Sequence, residues 1–189
     1  MLKDLIQKTR SYRRFYQDEK ISREQLKKLI DLARLSASAA NRQPLKYIIS
    51  NSEDKNKKIF STLSWAGYLT DWDGPDKDER PSAYIIMLGD KKISKNYWCD
   101  PGIAAQNILL GATEKELGGC IFGAIEKDKL RKKLQIDEQY EILYVIALGK
   151  PKEKVEIEEL KENGDIKYWR DEKGVHHVPK RKLDEIIIK

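Results

Sequence analysis

Ser38-Ala39-Ala40-Asn41-Arg42-Gln43-Pro44 stands between a helix-patterned segment, Ser22 to Leu35, and a strand-patterned one, Leu45 to Ser50. Loops held between rigid elements concentrate binding chemistry. This one supplies a hydroxyl, two amides and a guanidinium, followed by a proline that fixes where the chain turns outward. That set suits a flat heteroaromatic ligand with many hydrogen-bonding edges. The same residues also make an ordinary polar turn, because Ser and Asn bond readily to their own backbone. The rest of the chain separates the two readings.

Outward from the loop, Ser22-Arg23-Glu24-Gln25 is a capping box, and Leu26, Leu29, Ile30 and Ala33 recur on one helical face behind it. Leu2 to Thr9 predicts a short helix, Ser52 to Leu63 a charged one and Lys127 to Leu134 an amphipathic one. Ser82 to Leu88, Cys120 to Ile125 and Glu141 to Leu148 are short apolar runs that predict strands, and Asp71 to Asp76 is a loop. Asp100-Pro101 predicts a helix start, with Asp100 as its cap. The apolar segment behind it belongs in the core, and Gly118-Gly119 is expected to stop it.

From Lys152 the chain is charged and aperiodic until Leu183 to Ile188, a terminal strand candidate. Helices mixed with strands, without regular alternation, predict an α+β fold. The length predicts a single domain, residues 1–189, with 152–189 as a C-terminal extension. A long unpatterned stretch does not suit the interior of a compact domain, so the extension is expected to reach a partner subunit.

Composition excludes several classes. Hydrophobic residues make up 40% and charged ones 36%, and no apolar run approaches membrane-spanning length, so a soluble protein without membrane contact is expected. The N-terminus lacks the apolar block of a signal peptide. Cys99 and Cys120 form neither a disulfide framework nor a metal spacing, which predicts the reducing cytoplasm and no metal. The net charge of +6 is spread among interspersed acidic residues. Lys180-Arg181-Lys182 is too short for a nucleic-acid stripe but sufficient for a phosphate.

The second cluster of interest is Arg10-Ser11-Tyr12-Arg13-Arg14-Phe15. Arg10 and Arg13 share a face if the first helix persists, and guanidiniums grip phosphate in two-pronged fashion. A solvated helix end is the competing reading. His176-His177 sits in a charged, glycine-containing turn and is expected to be exposed and without acid-base work. Cys120 reads as a buried inert thiol and Met87 as core.

Thr9 to Phe15, followed by Ser38 to Pro44, resembles the nitroreductase family of FMN-dependent oxidoreductases, which carries an Arg-Ser-x-Arg-x-Phe opening and then a Ser-x-x-Asn-x-Gln-Pro-Trp loop. Asp100 to Gly123 is similar to the family's Asp-x-Gly-x-Ala-x-Gln-Asn helix and the glycine-ended segment after it. Pro179 to Leu183 resembles the basic pair before its final strand. The four blocks occur in the family's order.

The resemblance implies a central, mostly antiparallel sheet flanked by helices, with a C-terminal strand exchanged across a homodimer. It also implies FMN at the subunit interface. Arg10, Ser11 and Arg13 match positions that hold the ribityl phosphate and pyrimidine edge. Ser38, Ala39, Ala40 and Asn41, with Gln43, match the loop that reaches the flavin bound mainly by the other subunit. Phe122 and Gly123 match a segment beside the isoalloxazine ring, and Arg181 with Lys180 or Lys182 matches the pair that closes on the phosphate. The implied activity is a ping-pong cycle without a side-chain nucleophile. NAD(P)H delivers hydride to flavin N5, and a nitroaromatic, quinone or flavin then takes the electrons. An FMN carrier or sensor without turnover is the alternative. Leu45 replaces the family's Trp after the proline. Trp65, Tyr68 and Trp72 lie in a divergent segment that could line the substrate side or pack in an interface.

Overall fold

A computed structural model of the protein describes residues 1–161 and 164–188. Its central element is β3 (Ala83–Asp90), buried along its whole length because both faces of the sheet are covered. It pairs antiparallel with β2 (Leu45–Ser50) on one edge and with β5 (Tyr140–Pro151) on the other. The long β5 also pairs antiparallel with β4 (Gly118–Phe122) and, at its far end, with β1 (Phe15–Tyr16). The expected α+β fold with an antiparallel central sheet is what these pairings build.

The two-residue period of a strand sends alternate β3 side chains to opposite faces. Ala83, Ile85 and Met87 face α2 (Arg23–Arg34) and α4 (Asp100–Glu114), packing with Leu26, Leu29, Ala104 and Ile108. Tyr84, Ile86 and Leu88 face α3 (Glu53–Phe60) and α5 (Lys127–Leu134), packing with Ile59 and Leu130. A short α1 (Leu2–Lys8) precedes β1. No helix among the described residues is long and apolar enough to cross a membrane.

The capping box at the start of α2 forms as read: the Gln25 N–H donates to Ser22 Oγ at 3.1 Å, and the Ser22 N–H to Gln25 Oε1 at 2.8 Å. The helix crosses α4 at Gly111, where a Cβ would meet Leu32 Cδ1 at 2.2 Å. Two expectations about α4 fail. Its N-cap is Cys99, with Asp100 as the first helical residue. It ends at Glu114, and Gly118-Gly119 opens β4 instead. Those glycines answer to sheet packing, since a Cβ on Gly119 would lie 2.5 Å from the Ala147 carbonyl oxygen.

Among the described residues after Lys152, three strands form. β8 (His176–Lys180) pairs in parallel with β6 (Val155–Glu159) and antiparallel with β7 (Trp169–Arg170). This second sheet docks on its own chain: His176 Nε2 lies 3.1 Å from Arg13 Nη1, and just before the sheet the Lys152 N–H donates to Arg14 O at 2.9 Å. Its strands bury few apolar side chains, Ile157 of β6 being exposed and the buried residue of β8 being His176, so no period-two apolar pattern marked them. The expected terminal strand is one helical turn, α6 (Leu183–Ile186). Its Leu183 and Ile186 are exposed, as are Ile187 and Ile188 beyond it.

Candidate active site

Asp100 organises the Ser38 loop. Its carboxylate, 3% exposed, accepts from Ser38 Oγ at 2.6 Å and from the Ala39 N–H at 2.9 Å. Ser38 Oγ in turn accepts from the Gln43 N–H at 2.9 Å, so one hydroxyl closes the loop onto the carboxylate. Asp100 is therefore a loop anchor, and the expected capping role fails. It sits in the first turn of α4, where the helix dipole favours negative charge.

Within this closed loop Ala40, Asn41 and Gln43 adopt left-handed backbone angles, with φ of 51°, 52° and 52°. For a non-glycine residue that conformation costs on the order of 1 kcal/mol, and it persists where the surroundings over-determine it. The charge-assisted bonds to Asp100 supply about 1.5–3 kcal/mol in the other direction. The loop is thus a rigid, strained presentation of polar groups, with Arg42 laid over the Trp98 ring at 5.2 Å. Beneath it lies a cavity of about 220 Å³ lined by Ser36, Ser38, Gln43, Tyr47, Asp100 and Ala104. Burial, then the Asp100 charge, pushes the Tyr47 phenol up to about 12, so its hydroxyl stays a donor.

The basic segment splits by residue. Ser11 forms a bridge to Gly119, and the Tyr12 N–H donates to Gly119 O at 3.0 Å. This seats the segment on β4, the strand that ends in Phe122 before Gly123. Phe122 itself points into the core, its ring 4.6 Å from that of Trp65, while Gly123 is exposed. Trp65 packs edge-on against Trp72 at 6.2 Å as well, so both tryptophans belong to the cluster behind the sheet.

Arg10 is half-buried. One Nη donates to Ile6 O at 2.7 Å, and its Nε has no partner. Burial draws its pKa below the ordinary value. Arg13 is buried and held by the extension: its Nη1 lies 3.1 Å from His176 Nε2, and its guanidinium sits 4.7 Å from the Tyr168 ring centre. A guanidinium only donates, so Nε2 accepts and the proton of the neutral ring is on Nδ1. Burial, reinforced by the Arg13 charge, lowers His176 to about 4. His176 is 1% exposed, contrary to the expected exposed turn. Glu153 completes the clasp. It accepts from the Arg13 N–H at 2.5 Å and the Arg14 N–H at 3.2 Å, and it pairs with Arg170 at 2.9 Å.

His177, the neighbour, has a carboxylate acceptor beside each ring nitrogen, Glu158 2.7 Å from Nδ1 and Asp171 3.3 Å from Nε2. Lys180 and Arg181 are exposed at the end of β8, with Arg181 reaching Glu185 at 3.9 Å. Lys182 pairs with Glu159 at 3.0 Å.

The chain belongs to the nitroreductase family: the family's profile matches residues 6–67 and 75–150. An Archaeoglobus fulgidus protein named "Putative NADH dehydrogenase/NAD(P)H nitroreductase" is 30% identical over 159 residues, covering 80% of this chain and 86% of that one. A Parabacteroides distasonis structure of the same name superposes with TM-score 0.66 at 26% identity, over 80% of this chain and 87% of its own. A Clostridium difficile structure named as an FMN-dependent nitroreductase shares the fold, with TM-score 0.63 and 22% identity over 79% of this chain and 87% of its own. These names support an oxidoreductase.

Proposed function

We propose that this chain is an FMN-dependent oxidoreductase that uses NAD(P)H to reduce a small nitroaromatic, quinone or flavin acceptor, working as a homodimer. The observation that carries the reading is Arg10. A half-buried guanidinium whose Nε lacks a partner is suited to an anion, and phosphate is one that its planar fork grips in two-pronged fashion. Arg10 stands on the segment where the family resemblance expects the flavin phosphate, so the residues present fit the group.

FMN, once bound, supplies the two-electron redox chemistry, and the protein supplies binding, orientation and electrostatics. Arg10 holds the phosphate, with Lys180 and Arg181 available as exposed cations to close on it. Ser38, Ala39, Ala40, Asn41 and Gln43 present a pre-ordered polar wall whose geometry Asp100 fixes, which spares the entropy of ordering it on binding. Ser11 and Gly123 stand on or beside one strand and leave an exposed backbone for close approach. Arg13 contributes a fixed positive charge, and it reaches a ligand only when the His176 and Tyr168 contacts open.

The test is the absorbance spectrum of purified protein followed by anaerobic titration with NADH and NADPH. The expected result is a bound flavin spectrum that bleaches with at least one nucleotide. A colourless protein that takes up no FMN overturns the reading. A bound flavin that neither nucleotide bleaches replaces it with a carrier or sensor.

A further inference from the structure

A second cavity, of about 410 Å³, opens where Gln17, the start of α3 and the entry to β3 meet. It is far from the Ser38 loop on two counts. That loop adjoins the Asp90 end of β3, through the Asp90 N–H donating to Pro44 O, whereas this cavity is lined by Ser82 and Tyr84 at the other end. The loop's cavity also lies on the α2–α4 face of the sheet, and Tyr84 points to the α3–α5 face.

Two features mark the cavity as a site. The first is a pair of buried hydroxyls without partners. Ser82 is 3% exposed and Tyr84 1%, and neither Ser82 Oγ nor Tyr84 Oη has a hydrogen-bond partner. Ser82 immediately precedes β3 and Tyr84 lies near its start, and both line this cavity. A native fold rarely leaves buried hydroxyls unmade, and each such group calls for a ligand or water. Burial holds the Tyr84 phenol well above its ordinary pKa against the opposing Arg80 charge, so Tyr84 keeps its proton and donates.

The second feature is charge. Lys20, Lys57, Lys77 and Arg80 line the cavity, and Glu53 is its one carboxylate among the described residues. Glu53 is already paired with Lys57 at 2.7 Å. Lys20 and Lys77 act on the Glu53 carboxylate and Arg80 on the Lys57 ammonium, so the cations converge on one space. Arg80 is held in place there by the Phe60 ring, 4.2 Å from its guanidinium.

We infer that this cavity binds a small molecule through a phosphate or diphosphate group, with Lys20, Lys77 and Arg80 taking the charge and Ser82 and Tyr84 donating hydroxyl hydrogen bonds. The volume lies within the range of small-ligand pockets. The cations set the charge of the ligand, and the two hydroxyls set where its oxygens lie. This site is independent of the proposed flavin chemistry.

Calorimetric titration of the full chain, pre-saturated with FMN, with inorganic phosphate, pyrophosphate and AMP tests the inference. At least one probe is expected to bind, and the phosphate and pyrophosphate arms separate an inorganic ligand from an organic ester. Lys20→Gln with Lys77→Gln should weaken that probe about tenfold or more by removing two cations. Tyr84→Phe should weaken it roughly threefold to tenfold while leaving the fold intact. Arg10→Gln should leave it unchanged. Absence of binding by all three probes overturns the inference. So does binding that Arg10→Gln removes, or binding that the lysine pair and Tyr84→Phe leave unaltered.

Discussion

The Asp100 carboxylate joins Ser38 Oγ at 2.6 Å although 62 residues separate them in sequence. That bond and the one to the Ala39 N–H convert a helix start into the floor of a loop. Replacing Asp100 by alanine leaves the Ser38 hydroxyl and the Ala39 N–H without their charged acceptor. The expected loss is about 1–3 kcal/mol in denaturant unfolding, together with weaker FMN retention. Asp100→Asn, which keeps one acceptor oxygen, should fall between. Wild-type stability and flavin affinity in Asp100→Ala would remove the anchoring role.

Ala40, at φ 51°, separates strain from order. Ala40→Gly removes the left-handed penalty but enlarges the unfolded ensemble, so the net gain in stability should be only about 0.5–1 kcal/mol. The same change loosens the loop, and FMN affinity should fall several-fold. A variant that gains stability and binds flavin as tightly as the parent would show that loop rigidity is not used in binding.

His176 gives the extension an acid-sensitive contact with Arg13. Its folded pKa of about 4 lies below the ordinary 6.5, so the unfolded chain binds the proton more readily. The stabilisation is therefore complete above pH 6.5 and is lost as pH falls through 4. Unfolding measured between those limits should show a steeper pH slope in the wild type than in His176→Gln, which accepts from Arg13 but does not titrate. Equal slopes would exclude His176 as the titrating group.

His177 works in the opposite sense. Its bond to Glu158, then burial working against it and the Asp171 bond, leave its pKa above the ordinary value. Its contribution is present in full below pH 6.5 and is lost as pH rises through the folded value. Amide exchange in β8 and the 171–175 turn should quicken across that interval relative to the rest of the sheet. His177→Gln should abolish the difference, and an unchanged exchange profile in that variant would refute it.

Local patterns carried most of the central fold because they are set by neighbours in sequence. The α2 capping box, the β3 apolar run and the amphipathic Lys127 to Leu134 segment each declare themselves within one element. The candidate site was legible only as two local segments, the Ser38 to Gln43 loop and the basic Arg10 to Arg13 stretch, whose binding role remains the proposal. What escaped depends on distant pairs. An aspartate before a proline looks the same whether it caps its own helix or accepts from Ser38, and Glu153 meets the Arg13 backbone across 140 residues with no local signature. The extension misread for a related reason: Ile157 is exposed in β6 and the buried residue of β8 is a histidine, so neither strand shows an apolar period. His176 was placed in solvent by its charged neighbours, whereas β8 turns it under Tyr168, 5.1 Å between ring centres.

Leu183, Ile186, Ile187 and Ile188 expose apolar surface, with Ile188 at 94%. A run of large aliphatic side chains held in water is unfavourable by roughly 25 cal/mol for each Å² that a contact would cover. In the proposed homodimer this segment is the part of the extension placed to cross, because Lys152, Glu153 and His176 upstream of it are already tied to Arg13 and Arg14 of their own chain. Removing residues 183–189 should shift the protein from dimer to monomer in light scattering and release FMN in parallel. The β6–β8 sheet should survive, since its contacts lie upstream. A truncated monomer that keeps FMN as tightly as the full chain would separate flavin binding from dimerisation and overturn the shared site. A truncated protein that remains dimeric would place the interface elsewhere on the fold.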